Sequence, residues 1–236
     1  MLEVNDIGLR FGGIHAIQGI SFQAPAGKVL GLIGPNGAGK TSLFNCVTGY
    51  YKPTTGRVSL DGRDITGRKP YQISRLGIRR TFQNIRMFGD LTVHANILAG
   101  AHVLGMSEAA LSERCYALCT ELQIDEGFLY RPAGDLPYGI QRRVELARAL
   151  IAEPRILLVD EPGAGLNGAE RQLIVTILRS VASRGNLGVI LIEHDIGMIA
   201  RACDHVVVLD RGKLLSEGTP DAVRRDPAVI SAYLGT

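Results

Sequence analysis

The sequence has no long apolar run. Hydrophobic residues make up 46% of its 236 residues, yet the longest apolar stretches are 156–159, 188–192 and 206–209. Each is far shorter than the roughly 20 residues that a membrane-spanning helix needs. We therefore expect no segment to cross a bilayer. The apolar content is high enough to form the core of one large α/β domain or of a domain with a sizeable insertion.

A basic leader and a strong net charge are also missing. The chain begins Met1-Leu2-Glu3-Val4, without a basic region followed by an apolar core, so we expect no secretory signal and a protein that stays in the cytosol. The formal charge of +3 and the scattered arginines do not favour nucleic-acid binding. Paired arginines such as 79–80 and 142–143 indicate solvated faces or phosphate-positioning residues instead.

Cysteine is scarce and unpatterned. The four cysteines contain no C-x-x-C pair, and a reducing compartment would leave them as small buried apolar side chains. Cys115 and Cys119 lie one helical turn apart. With no further His or Cys at ligand spacing, this pair favours apolar helix packing over a metal site. The other two are Cys46 and Cys203.

Glycine is concentrated where an apolar stretch, 29–33, meets a helical pattern. The junction reads Gly34-Pro35-Asn36-Gly37-Ala38-Gly39-Lys40-Thr41 and fits the P-loop pattern. Its glycines allow several backbone N–H groups to converge on a polyphosphate, and the following helix adds its positive dipole end. Lys40 would contact the outer phosphates and Thr41 would bind Mg²⁺. The alternative is a glycine-rich turn without a ligand.

Periodicity predicts alternating strands and helices. Strands are predicted over 2–9, 14–22, 57–60, 78–82, 155–159, 188–192, 206–209 and 213–216. The first two are predicted to be antiparallel. Helices are predicted after the P-loop, over 70–76, across much of 88–136, over 141–151, after Asn167 and after Thr219-Pro220.

Polar residues follow three of these strands. Asp160 and Glu161 end a fully apolar strand, where unpaired acids are costly. We expect Asp160 to face a P-loop on the neighbouring strand and hold Mg²⁺ through water, and Glu161 to polarise an attacking water. Gln83 is either a site residue at a strand end or merely solvated. His194 could donate to a phosphate.

Two further residues have alternative interpretations. Phe11 could stack on a nucleobase or serve as a core aromatic. Asn167 fits a helix N-cap, with Glu170 as its capping-box partner.

Six motifs, taken in order along the chain, resemble those of an ABC-transporter ATP-binding subunit. They are the P-loop, Gln83, the break at 136–140, the acids at 160–161, Gly165-Leu166-Asn167 and Glu193-His194-Asp195. Segments 80–88, 91–93, 138–139 and 230–235 are similar to the ATPase subunits of branched-chain (hydrophobic) amino-acid importers.

This resemblance implies a P-loop NTPase (RecA-like) α/β core, residues 1–87 and 150–236, with an antiparallel β subdomain and a helical subdomain of about 88–149. It implies ATP and Mg²⁺ as cofactors. It also implies transmembrane permease subunits, a second copy or paralogous ATPase in a head-to-tail dimer, and indirectly a periplasmic or extracellular binding protein. The chain would lie peripherally on the cytoplasmic side of the inner (plasma) membrane.

The resemblance also implies roles for individual residues. Catalytic roles fall on Lys40, Gln83, Glu161 and His194. Metal contacts fall on Thr41, Gln83 and Asp160. Nucleotide contacts fall on Phe11, Gly34, Pro35, Asn36, Gly37, Ala38, Gly39, Lys40, Thr41, Ser42 and Asn167, and on the signature residues Pro137, Tyr138 and Gly139, which would complete the site of the partner chain.

The signature segment departs from the general pattern. Leu-Ser-Gly-Gly-Gln is replaced by Leu136-Pro137-Tyr138-Gly139-Ile140, so the serine hydroxyl is absent. Pro137 also has no backbone N–H, and one expected donor to the γ-phosphate is lost. Asn167 replaces a more general aspartate, as it tends to in the amino-acid importers.

The sequence leaves three alternative functions to consider. A soluble ABC ATPase that acts on ribosomes or DNA usually has two cassettes or a long coiled coil, and neither is present here. A non-hydrolysing nucleotide sensor is suggested by the altered signature. A guanine-specific GTPase is disfavoured because no Asn-Lys-x-Asp base reader occurs in the sequence.

Overall fold

The computed structural model describes residues 1–102 and 104–234, in which the strands form two sheets; Gly235 of the resembling C-terminal segment lies outside them. The strands are β1 (Leu2–Phe11), β2 (Ile14–Ala24), β3 (Val29–Ile33), β4 (Thr55–Leu60), β5 (Arg63–Asp64), β6 (Ile78–Arg80), β7 (Ile156–Asp160), β8 (Gly188–Ile192), β9 (His205–Asp210) and β10 (Lys213–Gly218). The helices are α1 (Lys40–Val47), α2 (Pro70–Arg75), α3 (Val93–Ala99), α4 (Glu108–Glu121), α5 (Tyr138–Leu150), α6 (Gly168–Ser183), α7 (Ile196–Ala202), α8 (Pro220–Arg225) and α9 (Pro227–Leu234).

The smaller sheet is antiparallel, in the order β2-β1-β4-β5. Leu2 pairs with Ala24 and Val4 with Phe22, so the alternating apolar side chains are buried on one face. The predicted pairing of the first two strands is confirmed. Both strands are longer than predicted: β1 continues to Phe11, which pairs with Ile14 across a two-residue turn, and β2 continues to Ala24, which pairs with Leu2.

The larger sheet has the order β10-β9-β3-β8-β7-β6. Every residue of β3, β7 and β8 is buried, as expected for parallel strands covered on both faces. The predicted adjacency of the P-loop strand and the Asp160 strand is wrong. β8 lies between them, pairing Val29 with Val189 on one side and Ile156 with Gly188 on the other.

The chain between β6 and β7 is largely helical, with α3, α4, two short 3-10 turns (Glu126–Phe128 and Ala133–Asp135) and α5. Its apolar residues, among them Val93, Cys115 and Val144, belong to the same buried cluster as Leu157 and Val159 of β7. The helical segment therefore packs directly on the larger sheet. The four cysteines are free and buried, as predicted.

Helix α5 begins three residues before the predicted start at Gln141. Pro137 occupies the N-cap with φ −53° and ψ 145°, and its carbonyl accepts hydrogen bonds from the N–H groups of Ile140 and Gln141. Because proline favours this φ and needs no donor at a helix start, it initiates the helix rather than delaying it. The start of α6 is confirmed, since Asn167 and Glu170 exchange both capping-box hydrogen bonds.

Candidate functional site

The glycine-rich loop forms one wall of a cleft of about 950 Å³. Its glycines are required by local geometry. Gly34 has φ 149°, and a Cβ there would lie 2.1 Å from the carbonyl oxygen of Leu209. Gly39 has φ 103° and leads directly into α1. The cleft is lined by Ile14, His15, Ala16, Asn36, Gly37, Ala38, Gly39, Lys40, Thr41, Ser42, Gln83, Glu161, His194 and Arg211.

Lys40 is buried beneath this loop, with 6% of its surface exposed. Its Nζ donates to the carbonyl oxygens of Gly34 at 2.6 Å and Pro35 at 3.0 Å. Burial lowers the pKa of Lys40, while the charges of Glu161 and Asp160 act in the opposite direction. Lys40 is thus a cation whose hydrogen-bond partners in the loop are neutral carbonyl groups. An anion in the cleft would compensate the charge of Lys40 better.

Three of the predicted catalytic side chains meet at the carboxyl end of the sheet. Glu161 follows β7 with φ 46°, and its backbone N–H donates to the carbonyl of Ile192 at 2.9 Å. Its carboxylate accepts from Gln83 Nε2 at 2.8 Å and lies 2.7 Å from His194 Nε2. The arrangement places a carboxylate, an amide and an imidazole in the lining of the same cleft as Lys40.

Asp160 is bound to a side chain that the sequence interpretation missed. Its carboxylate is 2.7 Å from Arg80 Nη2, in a pair that is 8% and 7% exposed. Arg80 also donates to Asn45 Oδ1 at 2.6 Å and stacks between the rings of Phe44 and Phe82. Of the two expectations for the Arg79-Arg80 pair, a solvated face is wrong for Arg80, and a phosphate-positioning role stays a prediction.

Thr41 and Gln83 connect the main cleft to a neighbouring one of about 400 Å³, which Asp160 also lines. Hydroxyl, amide and carboxylate oxygens are the donors that Mg²⁺ prefers. These three residues therefore fit a magnesium ion by composition, although Asp160 would have to exchange or share its contact with Arg80.

The signature residues lie outside this cleft. Among the described residues that line it, none comes from 137–139. The ring of Tyr138 packs against Gly165, and Gly139 lies against Glu170, so the signature is joined to the loop that leads into α6. Tyr138 is 41% exposed. The segment presents a surface to solvent rather than to the cleft of its own chain.

Phe11 does not line the cleft either. It ends β1, is 46% exposed, and its ring meets that of Tyr51 edge-on, with centroids 5.2 Å apart. A base-stacking role for Phe11 stays a prediction. The same hairpin contributes Ile14 and His15 to the cleft, and Arg211 comes from the β9–β10 turn; their sequence context carries no motif that could have identified them.

The C-terminal helix also reaches the loop. The hydroxyl of Tyr233 in α9 accepts a hydrogen bond from the backbone N–H of Gly34 at 2.9 Å. Burial raises the pKa of Tyr233, while this hydrogen bond opposes the shift. The first backbone N–H of the P-loop is thus hydrogen-bonded to helix α9.

Comparison with known proteins places this arrangement in a family. A family described as "ABC transporter" matches residues 17–164, and one described as "Branched-chain amino acid ATP-binding cassette transporter" matches residues 213–236. Among solved structures, the ADP conformation of MJ1267, an ATP-binding cassette of an ABC transporter, is similar with a TM-score of 0.90 and 30% identity. That match covers 100% of this chain and 99% of the other.

Two curated relatives are similar over the whole chain. The high-affinity branched-chain amino acid transport ATP-binding protein BraF of Pseudomonas aeruginosa is 41% identical, with 100% of this chain and 98% of the relative covered. The corresponding protein LivG of Escherichia coli is 36% identical over the same shares. The sequence resemblance and the P-loop NTPase fold are confirmed, and the chain belongs to the ABC transporter family of ATP-binding cassettes.

Proposed function

We propose that this chain binds and hydrolyses ATP to energise a separate membrane permease that imports branched-chain or other hydrophobic amino acids. One observation carries the hydrolytic part. Glu161, held between Gln83 and His194, lines the same cleft as Lys40 and the P-loop. A carboxylate in the same cleft as a phosphate cradle is the arrangement needed to polarise a water for attack on the γ-phosphate.

In this mechanism the P-loop amides bind the phosphate chain and Lys40 neutralises its outer charges. Glu161 accepts the proton of the attacking water, while Gln83 and His194 orient its carboxylate. His194 is also placed to donate to the γ-phosphate. Thr41, Gln83 and Asp160 would hold Mg²⁺, which would offset charge on the phosphates.

The position of the signature supports a two-chain assembly. Since Tyr138 and Gly139 do not line the cleft of their own chain, they could contact ATP only in a second one. The second chain would be another copy or a paralogous ATPase, arranged head to tail. No helix in the described ranges is long and apolar enough to cross a membrane, which fits a cassette that works with separate permease subunits.

The transported class is inferred from the relatives. BraF and LivG are named for branched-chain amino acid transport, and the second family match falls on the C-terminal segment. With a periplasmic or extracellular binding protein delivering the substrate, this chain would lie peripherally on the cytoplasmic face of the membrane and contact the permease.

Purification of the tagged chain from membranes tests the assembly. We expect permease subunits to accompany it, and ATP turnover by the complex that is lost in Lys40→Ala. Co-purification of ribosomes or DNA instead would contradict the proposal. A non-hydrolysing sensor is the second candidate, favoured by Pro137 at a helix N-cap where no backbone donor is available. Nucleotide binding without turnover in the assembled complex would support that candidate.

A further inference from the structure

Arg142 of α5 is fully buried, and its guanidinium holds the segment that carries Gln83. Nη1 donates to the carbonyl of Phe82 at 2.8 Å, and Nη2 donates to the carbonyl of Gln83 at 2.7 Å. Nη1 also pairs with Glu145 Oε2 at 2.8 Å, and the other oxygen of Glu145 accepts from the N–H of Phe82 at 3.3 Å. The Arg142–Glu145 pair therefore fixes both the N–H and the C=O of Phe82.

The same guanidinium contacts the signature segment. Nη2 lies 3.3 Å from the hydroxyl of Tyr138, and the guanidinium carbon is 5.9 Å from the centroid of its ring. Tyr138 in turn packs on Gly165 at the opening of α6. The buried guanidinium of Arg142 thus contacts both the backbone of Gln83 and the side chain of Tyr138. Gln83 in turn donates to Glu161, and Tyr138 belongs to the exposed signature segment.

Stability is a poor explanation for such a pair. Burying two charges is unfavourable unless their geometry is very good, and an apolar pair of similar volume is often as stable or more stable. Burial raises the pKa of Glu145, with the charge of Arg142 opposing the shift. What this pair provides, and apolar side chains could not, is a set of directed hydrogen bonds to the Phe82–Gln83 backbone.

We propose that Arg142 is a positioning residue that fixes the Gln83 segment to the start of α5, so that Gln83 and the Tyr138 surface move as one unit. The expected consequence is a coupling between two sites: the state of a chain's own nucleotide site would affect the Tyr138 surface that the chain presents to the nucleotide site of its partner. The inference rests on the proposed function, because the Tyr138 surface has a catalytic use only in a two-chain ATPase.

Two variants separate positioning from folding. Arg142→Lys keeps the charge, but one ammonium group cannot reproduce the planar fork that reaches two carbonyls and a hydroxyl. The double variant Arg142→Met with Glu145→Leu removes the pair without leaving a buried charge, so it is expected to fold. Arg184→Met is the control. Arg184, at the end of α6, pairs with Glu121 of α4 at 2.5 Å, so it also joins the core to the helical segment, but it does so away from the cleft.

For both Arg142 variants we expect kcat to fall by up to about 100-fold, the effect of a misplaced catalytic group. KM for ATP should stay within about twofold, because the P-loop is untouched. Hydrogen–deuterium exchange should become faster in the peptide 82–88 and remain unchanged in the peptide 34–42. Arg184→Met should alter neither kcat nor exchange in 82–88.

Wild-type turnover in a folded Arg142 variant would overturn the inference, and so would an equal loss of turnover in Arg184→Met. If the double variant does not fold, Arg142→Lys decides alone. Absence of ATPase activity in the wild-type chain with its co-purified partners would instead overturn the proposed function. The exchange measurement then still tests Arg142, because unchanged exchange in 82–88 would refute its positioning role.

Discussion

Replacing Glu161 by glutamine separates ATP binding from hydrolysis. The carboxylate now accepts from Gln83 at 2.8 Å and lies 2.7 Å from His194. The introduced amide can keep this shape with its oxygen accepting from Gln83 Nε2 and its N–H group donating to an unprotonated Nε2 of His194. Only the base is lost. General-base catalysis contributes about 10²–10⁴-fold, so turnover should fall by that factor, or roughly 3–5 kcal/mol.

Binding should be preserved, since Lys40 and the loop are unchanged. We expect the Kd for ATP to stay within about threefold, a difference below ~0.7 kcal/mol. Blocked hydrolysis should let the ATP-bound dimer accumulate, so light scattering should show a shift from monomer to dimer with ATP but not with ADP. If the partner is a paralogous subunit, the shift requires that chain. Glu153→Gln, on an exposed carboxylate, is the control.

Phosphate release and light scattering decide the outcome. Wild-type turnover in Glu161→Gln would remove the general-base role from this residue. A mass that does not depend on nucleotide with every partner tried would refute the head-to-tail assembly.

Three further predictions concern the loop and the signature. Lys40→Ala should weaken ATP binding by at least 1.5–3 kcal/mol, the usual contribution of a charged hydrogen bond, and isothermal titration that finds wild-type affinity would contradict it. Pro137→Ser should speed phosphate release by up to roughly tenfold through the restored N–H, and its hydroxyl should stabilise α5 by about 0.5–2 kcal/mol; a slower rate would contradict the lost-donor argument. Tyr233→Phe should leave the N–H of Gly34 without an acceptor and lower the free energy of unfolding in urea by about 1–3 kcal/mol, whereas Tyr116→Phe, whose hydroxyl bonds to that of the exposed Tyr130, should not.

Much of the fold could be predicted because its strands, helices and turns follow from short local patterns in the sequence. The P-loop, the apolar strands and the capping box at Asn167 each depend on a few consecutive residues. The convergence of Gln83, Glu161 and His194 was likewise predictable, because polar residues that follow parallel strands emerge at one edge of the sheet. Their individual roles stay predictions.

Other features depend on contacts between distant parts of the chain. Adjacent arginines such as Arg79 and Arg80, or Arg142 and Arg143, look alike in sequence, yet Arg80 and Arg142 are buried against carboxylates from other positions. Strand order is equally non-local, since β8 enters the sheet between β3 and β7 only after both have appeared in the chain. The start of α5 differs from the prediction for another reason: Pro137 suggests a break in the sequence, whereas at the N-cap its φ is favourable and no N–H is needed.

The place of β8 has an electrostatic consequence. Neighbouring strands are about 4.8 Å apart, so the intervening strand places the end of β7, where Asp160 lies, roughly 10 Å from the end of β3, which leads into the P-loop. Lys40 accordingly bonds to carbonyls of its own loop, and Asp160 bonds to Arg80. In the described part of the chain Lys40 and Asp160 form no ion pair with each other, so a phosphate chain entering the cleft would have no such pair to break.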